Sequence, residues 1–158
     1  MGSRSKVELA YVAGFLDGDG SLMLQIKKRS DNKKVRLMAT ICFYQDSRHE
    51  TELIWIRKIL GIGYLSRRND GMTELRINGF KQTKAILENL IPYIRFKQHQ
   101  ALALYKAASM LSSKEFNNLN RLELDQVISH ITTIQTHNYA TKYKKTESEL
   151  KSILGLTP

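Results

Sequence analysis

The sequence is short of cysteine, proline and acid. Cys42 is the single cysteine, which excludes an internal disulfide and any zinc site built from several thiolates. Two prolines, Pro92 and Pro158, leave no Pro-rich linker, and no Ser-rich or low-complexity tract stands in for one. No domain boundary is evident, so residues 1–158 read as one domain, closing with a basic segment and helix over 138–158. Residues 1–5, Met1-Gly2-Ser3-Arg4-Ser5, read as a cloning remnant and carry no weight. No run of eighteen apolar residues exists and no charged-then-apolar leader opens the chain, so the expectation is a soluble, unsecreted intracellular protein with no membrane partner. Fifteen Asp and Glu face twenty-five Lys and Arg, a net charge of +10. That excess implies a polyanion, and nucleic acid fits better than an anionic membrane surface or a small-molecule substrate.

Residues 6 to about 17 have helical spacing, with Leu9, Val12, Ala13 and Leu16 on one face. A second row, Ala10, Gly14 and Gly18, is small at every fourth position; it admits another backbone closely or packs on the chain's own sheet. A period-two stretch follows. Leu22, Leu24 and Ile26 alternate with Ser21, Met23, Gln25, Lys27 and Arg29; after a polar turn at 30–34, Val35 to Phe43 alternate with Arg36 to Tyr44. This hairpin has one apolar face and one basic face, since residues 25–36 hold six Lys or Arg against Asp31 alone. Ser47, with Glu50 three residues on, is the expected cap of a second helix carrying Leu53, Ile56, Ile59 and Leu60, which ends at Gly61 and Gly63. A second hairpin, near 62–68 and 72–78, turns at Asn69-Asp70-Gly71 and points Leu65, Leu75 and Ile77 to the core. Helices are expected near 80–91, broken by Pro92, then over 97–112 and 118–137, with a short one at the end. The pattern predicts an α+β fold: an αββαββα core with a four-stranded antiparallel sheet, helices on its other face, and C-terminal helices.

Asp17 and Asp19 stand at the negative end of the first helix, where carboxylates are disfavoured unless a cation or donor compensates. Four readings compete. An EF-hand fails, because its sixth and twelfth positions would be Leu22 and Lys28. A plain Asp-Gly turn, a divalent-metal nuclease site, and two copies pooling their carboxylates stay open at this point.

Val12-Ala13-Gly14-Phe15-Leu16-Asp17-Gly18-Asp19-Gly20 resembles the nonapeptide of the LAGLIDADG homing endonucleases. Gln45 before the second helix, Gly61-Ile62-Gly63-Tyr64, and Lys97-Gln98-His99-Gln100-Ala101 extend the resemblance to the single-motif, homodimeric branch over residues 7 to 154. The resemblance implies a homodimer whose motif helices meet along Ala10, Gly14 and Gly18. It implies that Asp19, with the Gly18 carbonyl, holds divalent metal, Mg²⁺ for cleavage with Mn²⁺ or Ca²⁺ substituting for binding. Asp17 is then the structural acid, a hydrogen-bond acceptor more than a ligand, while Gln45 and Lys97 arrange solvent and charge. The basic residue expected after Gln45 matches His49 by count, with Arg48 beside it. Implied too are hydrolysis of both strands with 3′ overhangs, a role in intron mobility, a saddle-shaped sheet, and a chloroplast, mitochondrion or prokaryotic cytoplasm as compartment. The alternative within the same fold is a non-cleaving binder, an RNA maturase or DNA-binding regulator.

The basic faces make physical sense of this. A two-stranded ribbon fits the major groove, and a ten-residue strand spans roughly 33 Å, about ten base pairs. Two copies would read a pseudo-palindrome of double-stranded DNA. Gln25, Lys27, Arg29, Arg36, Met38, Thr40, Ser66, Arg68, Glu74 and Arg76 are placed to reach bases, with Glu74 accepting from cytosine. Lys33, Lys34, Thr141, Lys142, Lys145 and Thr146 suit phosphates.

Overall fold

The structure, a computed structural model, describes residues 4–28, 34–138 and 143–156. Helix α1 (Lys6–Asp19) opens on a capping box: Ser5 Oγ accepts from the Glu8 N–H, and Glu8 Oε2 accepts from the Ser5 N–H, both at 3.1 Å. Arg4 and Ser5, set aside on sequence, therefore carry structure. Arg4 Nη2 donates to the Leu60 carbonyl at 2.6 Å. Strands β1 (Gly20–Lys28) and β2 (Val35–Asp46) pair antiparallel, with Leu22 opposite Ile41, Leu24 opposite Ala39 and Ile26 opposite Leu37.

The second helix begins differently from the expectation. Asp46, not Ser47, is the cap, and it caps a 3-10 turn at Ser47–His49 that feeds α2 (Glu50–Leu60). Ser47 is drawn away by tertiary contacts: its N–H donates to the Gly71 carbonyl, and its hydroxyl lies 2.8 Å from Thr73 Oγ1. Gly61 ends α2 at φ 74°, the left-handed cap a side chain resists.

Strands β3 (Tyr64–Arg67) and β4 (Met72–Asn78) complete one sheet in the order β1-β2-β4-β3. Then come α3 (Phe80–Leu90), α4 (Gln98–Ser113), α5 (Arg121–His137) and α6 (Glu147–Ile153). Helix α5 starts at 121 because Asn120 and Glu123 form another capping box; residues 116–118 are a separate 3-10 turn. The helices pack on one face of the sheet around Leu16, Leu22, Ile41, Phe43, Leu53, Ile56, Leu75 and Leu87, all nearly free of solvent.

Helix α1 is apolar almost all round. Leu9, Val12, Ala13 and Leu16 are buried, yet Val7 is 79% and Tyr11 58% exposed, and Gly14 and Gly18 face outward beside half-buried Ala10. A Cβ added at Gly14 or Gly18 would meet nothing within 4 Å. The small row therefore does not pack on the chain's own sheet.

Candidate active site

At the end of α1 the awkward carboxylate is satisfied from far along the chain. Asp17 is buried, and its Oδ2 accepts from the backbone N–H of Arg95 at 2.6 Å and of Phe96 at 3.3 Å. Its Oδ1 accepts from the Lys97 N–H at 3.0 Å. Lys97 returns the contact: Nζ donates to the Leu16 carbonyl at 3.0 Å and to the Asp17 carbonyl. An ammonium on the last carbonyls of a helix neutralises its negative end. Burial pushes the Lys97 pKa down, and the charges of Asp17 and Asp19 pull it back up. Lys97 thus sets the helix end on which Gly18 and Asp19 sit.

Gly20 makes the exit into β1. A Cβ there would lie 2.5 Å from Leu16 Cδ1 and 2.8 Å from the Leu16 carbonyl oxygen, so only glycine fits. Asp19 and Gly18 are exposed, unlike Asp17. No group of three or more His, Cys, Asp or Glu gathers among the described residues. The Asp19 carboxylate and Gly18 carbonyl are hard oxygen donors of the kind Mg²⁺ or Ca²⁺ takes, and they fit such an ion in chemistry. They fall short in number, because a hard cation wants about six oxygens. A second copy of the same helix end would supply more.

Gln45 lies two residues past Phe43, the partner of Gly20, and its Oε1 accepts from the Asp46 N–H at 2.8 Å. Arg48 is exposed but engaged: its Nε and Nη2 grip Asp46 at 3.0 and 2.9 Å. That guanidinium and the Arg48 N–H hold the Asp46 carboxyl at about 2, below its ordinary 3.8. His49 is exposed at the head of α2.

The sheet face opposite the helices carries the predicted contacts in rows. Lys27 stands directly across from Arg36, and Gln25 across from Met38. Like charges opposite each other destabilise a sheet, and a polyanion laid over them relieves the repulsion. Lys34 and Lys145 are exposed. Thr146 Oγ1 caps α6 by accepting from the Glu149 N–H at 3.2 Å, which leaves its own proton free. Ser66 is half-buried on β3 opposite Glu74. Arg29, Lys33, Thr141 and Lys142, with most of the 30–34 turn, lie outside the described residues.

Two expectations change. Thr40 is 1% exposed and donates to Asn78 Oδ1 at 2.8 Å, so it is closed off from any groove. It sits mid-strand in β2, with β1 and β4 on either side, where neighbouring side chains close over it. Glu74 is no free acceptor either. Arg68 Nη1 donates to its Oε1 at 2.9 Å, and Arg76 Nε lies 3.2 Å from its Oε2. Residues missing from the expected set share the face: Tyr64, 48% exposed, and Asn78, whose Nδ2 donates to the Tyr64 hydroxyl at 3.2 Å. Strand parity alone points to both, since each is two residues from a predicted contact.

Comparison with known proteins bears on this geometry. The family model described as LAGLIDADG endonuclease matches residues 12–108. The DNA endonuclease I-CreI of Chlamydomonas reinhardtii is 30% identical over 146 residues, 92% of this chain and 86% of the relative. The DNA endonuclease I-CvuI of Chlorella vulgaris is 36% identical over 97 residues, 61% of this chain and 60% of the relative, so that match spans less than two thirds of its length. A crystal structure of I-CvuI in complex with the I-CreI target and Mg superposes with a TM-score of 0.75 at 27% identity, covering 95% of this chain and 94% of that one. Another, of I-CvuI with its own target and Ca, gives 0.74 at 26% identity over 96% and 92%. An archaeal intron-encoded homing endonuclease, I-Vdi141I, complexed with DNA shares the fold at a TM-score of 0.76 and 20% identity, over 94% and 95% of the two chains. Matched by the family model over residues 12–108 and by a relative 30% identical over most of both chains, this chain belongs to the LAGLIDADG endonuclease family.

Proposed function

We propose that two copies of this chain associate through the outward face of α1 and hydrolyse both strands of a long, pseudo-palindromic double-stranded DNA site with a divalent metal. The observation that carries this reading is an exposed row of small and apolar residues on α1 that runs directly into an exposed Asp19. Apposing two such helices brings two Asp19 carboxylates and two Gly18 carbonyls together and supplies the oxygens that one chain lacks. Mg²⁺ bound there would activate water and stabilise the departing oxygen at neutral pH.

The chain's own residues do the rest. Asp19 and Gly18 hold the charge in place, and Lys97 with Asp17 fixes the helix end that presents them. Gln45 orients solvent beside them. Of the two basic residues that follow Gln45, Arg48 is engaged by Asp46, which leaves His49 for the basic role. The exposed Lys27 and Arg36 rows seat each half-site, and Lys145 and Thr146 take phosphates. The break leaves 3′ overhangs, as the family resemblance implies. A break of this kind serves intron mobility, with an organelle, chloroplast or mitochondrion, as the setting.

The test is linearisation of supercoiled plasmid carrying a selected target, with and without Mg²⁺. The parent is expected to cut only with metal, and Asp19→Asn to bind the same DNA without cutting. Equal cutting by both would remove Asp19 from its role; binding without cutting by the parent would favour a non-cleaving regulator or maturase.

A further inference from the structure

On the outward face of the second hairpin one carboxylate stands between two guanidiniums. Glu74 is flanked on β4 by Arg76, two residues on and on the same face, and across the turn by Arg68. Its side chain is 12% exposed, against 47% for Arg68 and 31% for Arg76. Arg68 is held from a second side, with Nη2 2.9 Å from Asp70 Oδ2. Arg76 Nε lies 3.2 Å from Glu74 Oε2, an ion-pair contact without hydrogen-bond geometry.

That orientation has a chemical meaning. With its Nε side turned to Glu74 in an ion pair, the guanidinium lies beside the Cys42 and Tyr64 side chains, and no hydrogen bond among the described residues ties up its terminal edge, the two Nη groups. The pair of acceptors on a guanine in the major groove, O6 and N7, matches that edge in a bidentate contact. The carboxylate is badly placed to read a base itself. To accept from a cytosine amino group it would have to shed a cation that it already neutralises in a half-buried setting.

We propose that Glu74 is a positioning residue: it presets Arg76, with Arg68 beside it, so that Arg76 and not Glu74 reads a guanine. The inference rests on the reading of this sheet face as the DNA surface. Holding a long side chain in its reading orientation before contact lowers the ordering cost of binding, so guanine preference at that base pair depends on the carboxylate.

The experiment selects bound sites from a randomised double-stranded library with the full-length parent, Glu74→Gln, Arg76→Ala and the double variant. In the parent, one base pair in each half-site is expected to favour guanine by on the order of 10- to 100-fold. In Glu74→Gln the preference at that same base pair is expected to fall to within about 3-fold, as in Arg76→Ala, and the double variant to lose no more. Arg76→Lys, which keeps the charge and removes the planar fork, is expected to lose the same preference, and it carries the test if Glu74→Gln folds poorly. A cytosine preference that moves in Glu74→Gln at a different base pair, additive with Arg76→Ala, would make Glu74 a reader and overturn the proposal. So would an undiminished guanine preference in Glu74→Gln. A parent that selects no DNA at all would overturn the sheet-face reading as well, and is told apart because every variant then behaves alike. A readout without DNA supports the same point: in the parent the Arg76 side-chain N–H signal should exchange slowly with water, and in Glu74→Gln faster.

Discussion

Asp17 takes three backbone N–H donors on one buried carboxylate, while its own carbonyl receives the Lys97 ammonium. Asp17→Asn keeps the shape but removes the charge and turns a donor toward donors. The expected loss is roughly 2–4 kcal/mol, read as a lower urea midpoint; an unchanged midpoint would mean that the contact is not stabilising. Asp46 gives a pH signature. Arg48 holds its folded pKa at about 2, below the ordinary 3.8, so the folded state binds its proton less readily than the unfolded one. The stabilisation is complete above 3.8 and drains away as pH falls toward about 2. Parent and Asp46→Asn should therefore differ by a constant amount from neutral pH down to the ordinary carboxylate range, then converge in acid. Urea titrations across that range check it, and a gap that widens in acid would contradict the sign. The resemblance implied an acceptor's role for Asp17, but the partners in neither contact were readable in the sequence. The partners of Asp17 lie some 80 positions downstream, and Asp46 took a capping role that local spacing gave to Ser47.

Whole elements were more legible than single contacts. The two hairpins followed from period-two alternation, because one face of each packs on helices and tolerates little else. Closure of the sheet over Thr40 was not, since it depends on three strands lying side by side, and strand order is absent from any one segment. Helix α1 sits between these cases. Its apolar stripes were visible, but only the fold shows which stripe is left outward. Gly14→Leu separates the two demands on that helix. In a lone chain a side chain at 14 meets open space and helix propensity improves, so the monomer should gain up to about 1 kcal/mol. Between two apposed helices the same side chain blocks close approach. Sedimentation should show loss of dimer and plasmid assays loss of cleavage, although the dilute protein melts no lower than the parent. A Gly14→Leu protein that stays dimeric and active would place the partner elsewhere.

For the whole molecule the governing quantity is charge, +10 over 158 residues, with the like-charged Lys27 and Arg36 opposed on the free sheet face. Binding should therefore be dominated by counterion release. If six to ten phosphates are neutralised, affinity is expected to fall by about 10³ to 10⁵ between 50 and 200 mM salt. Filter binding over that range measures the slope, and a flat response would mean that the basic face does not meet the duplex. The charge and its placement on strands were plain in the sequence; the pairing of Arg68 and Arg76 with Glu74, which withholds part of it, was not.

The reciprocal grip of Asp17 and Lys97 also bears on timing. A chain emerging from the ribosome completes its motif long before residue 97 appears, and until then the end of α1 has neither its cation nor its three donors. The proposed metal-binding helix end stays unset through synthesis and sets only with the fold as a whole. The amides of Arg95 and Lys97 should accordingly exchange with solvent only through global unfolding, as slowly as those of the central strand.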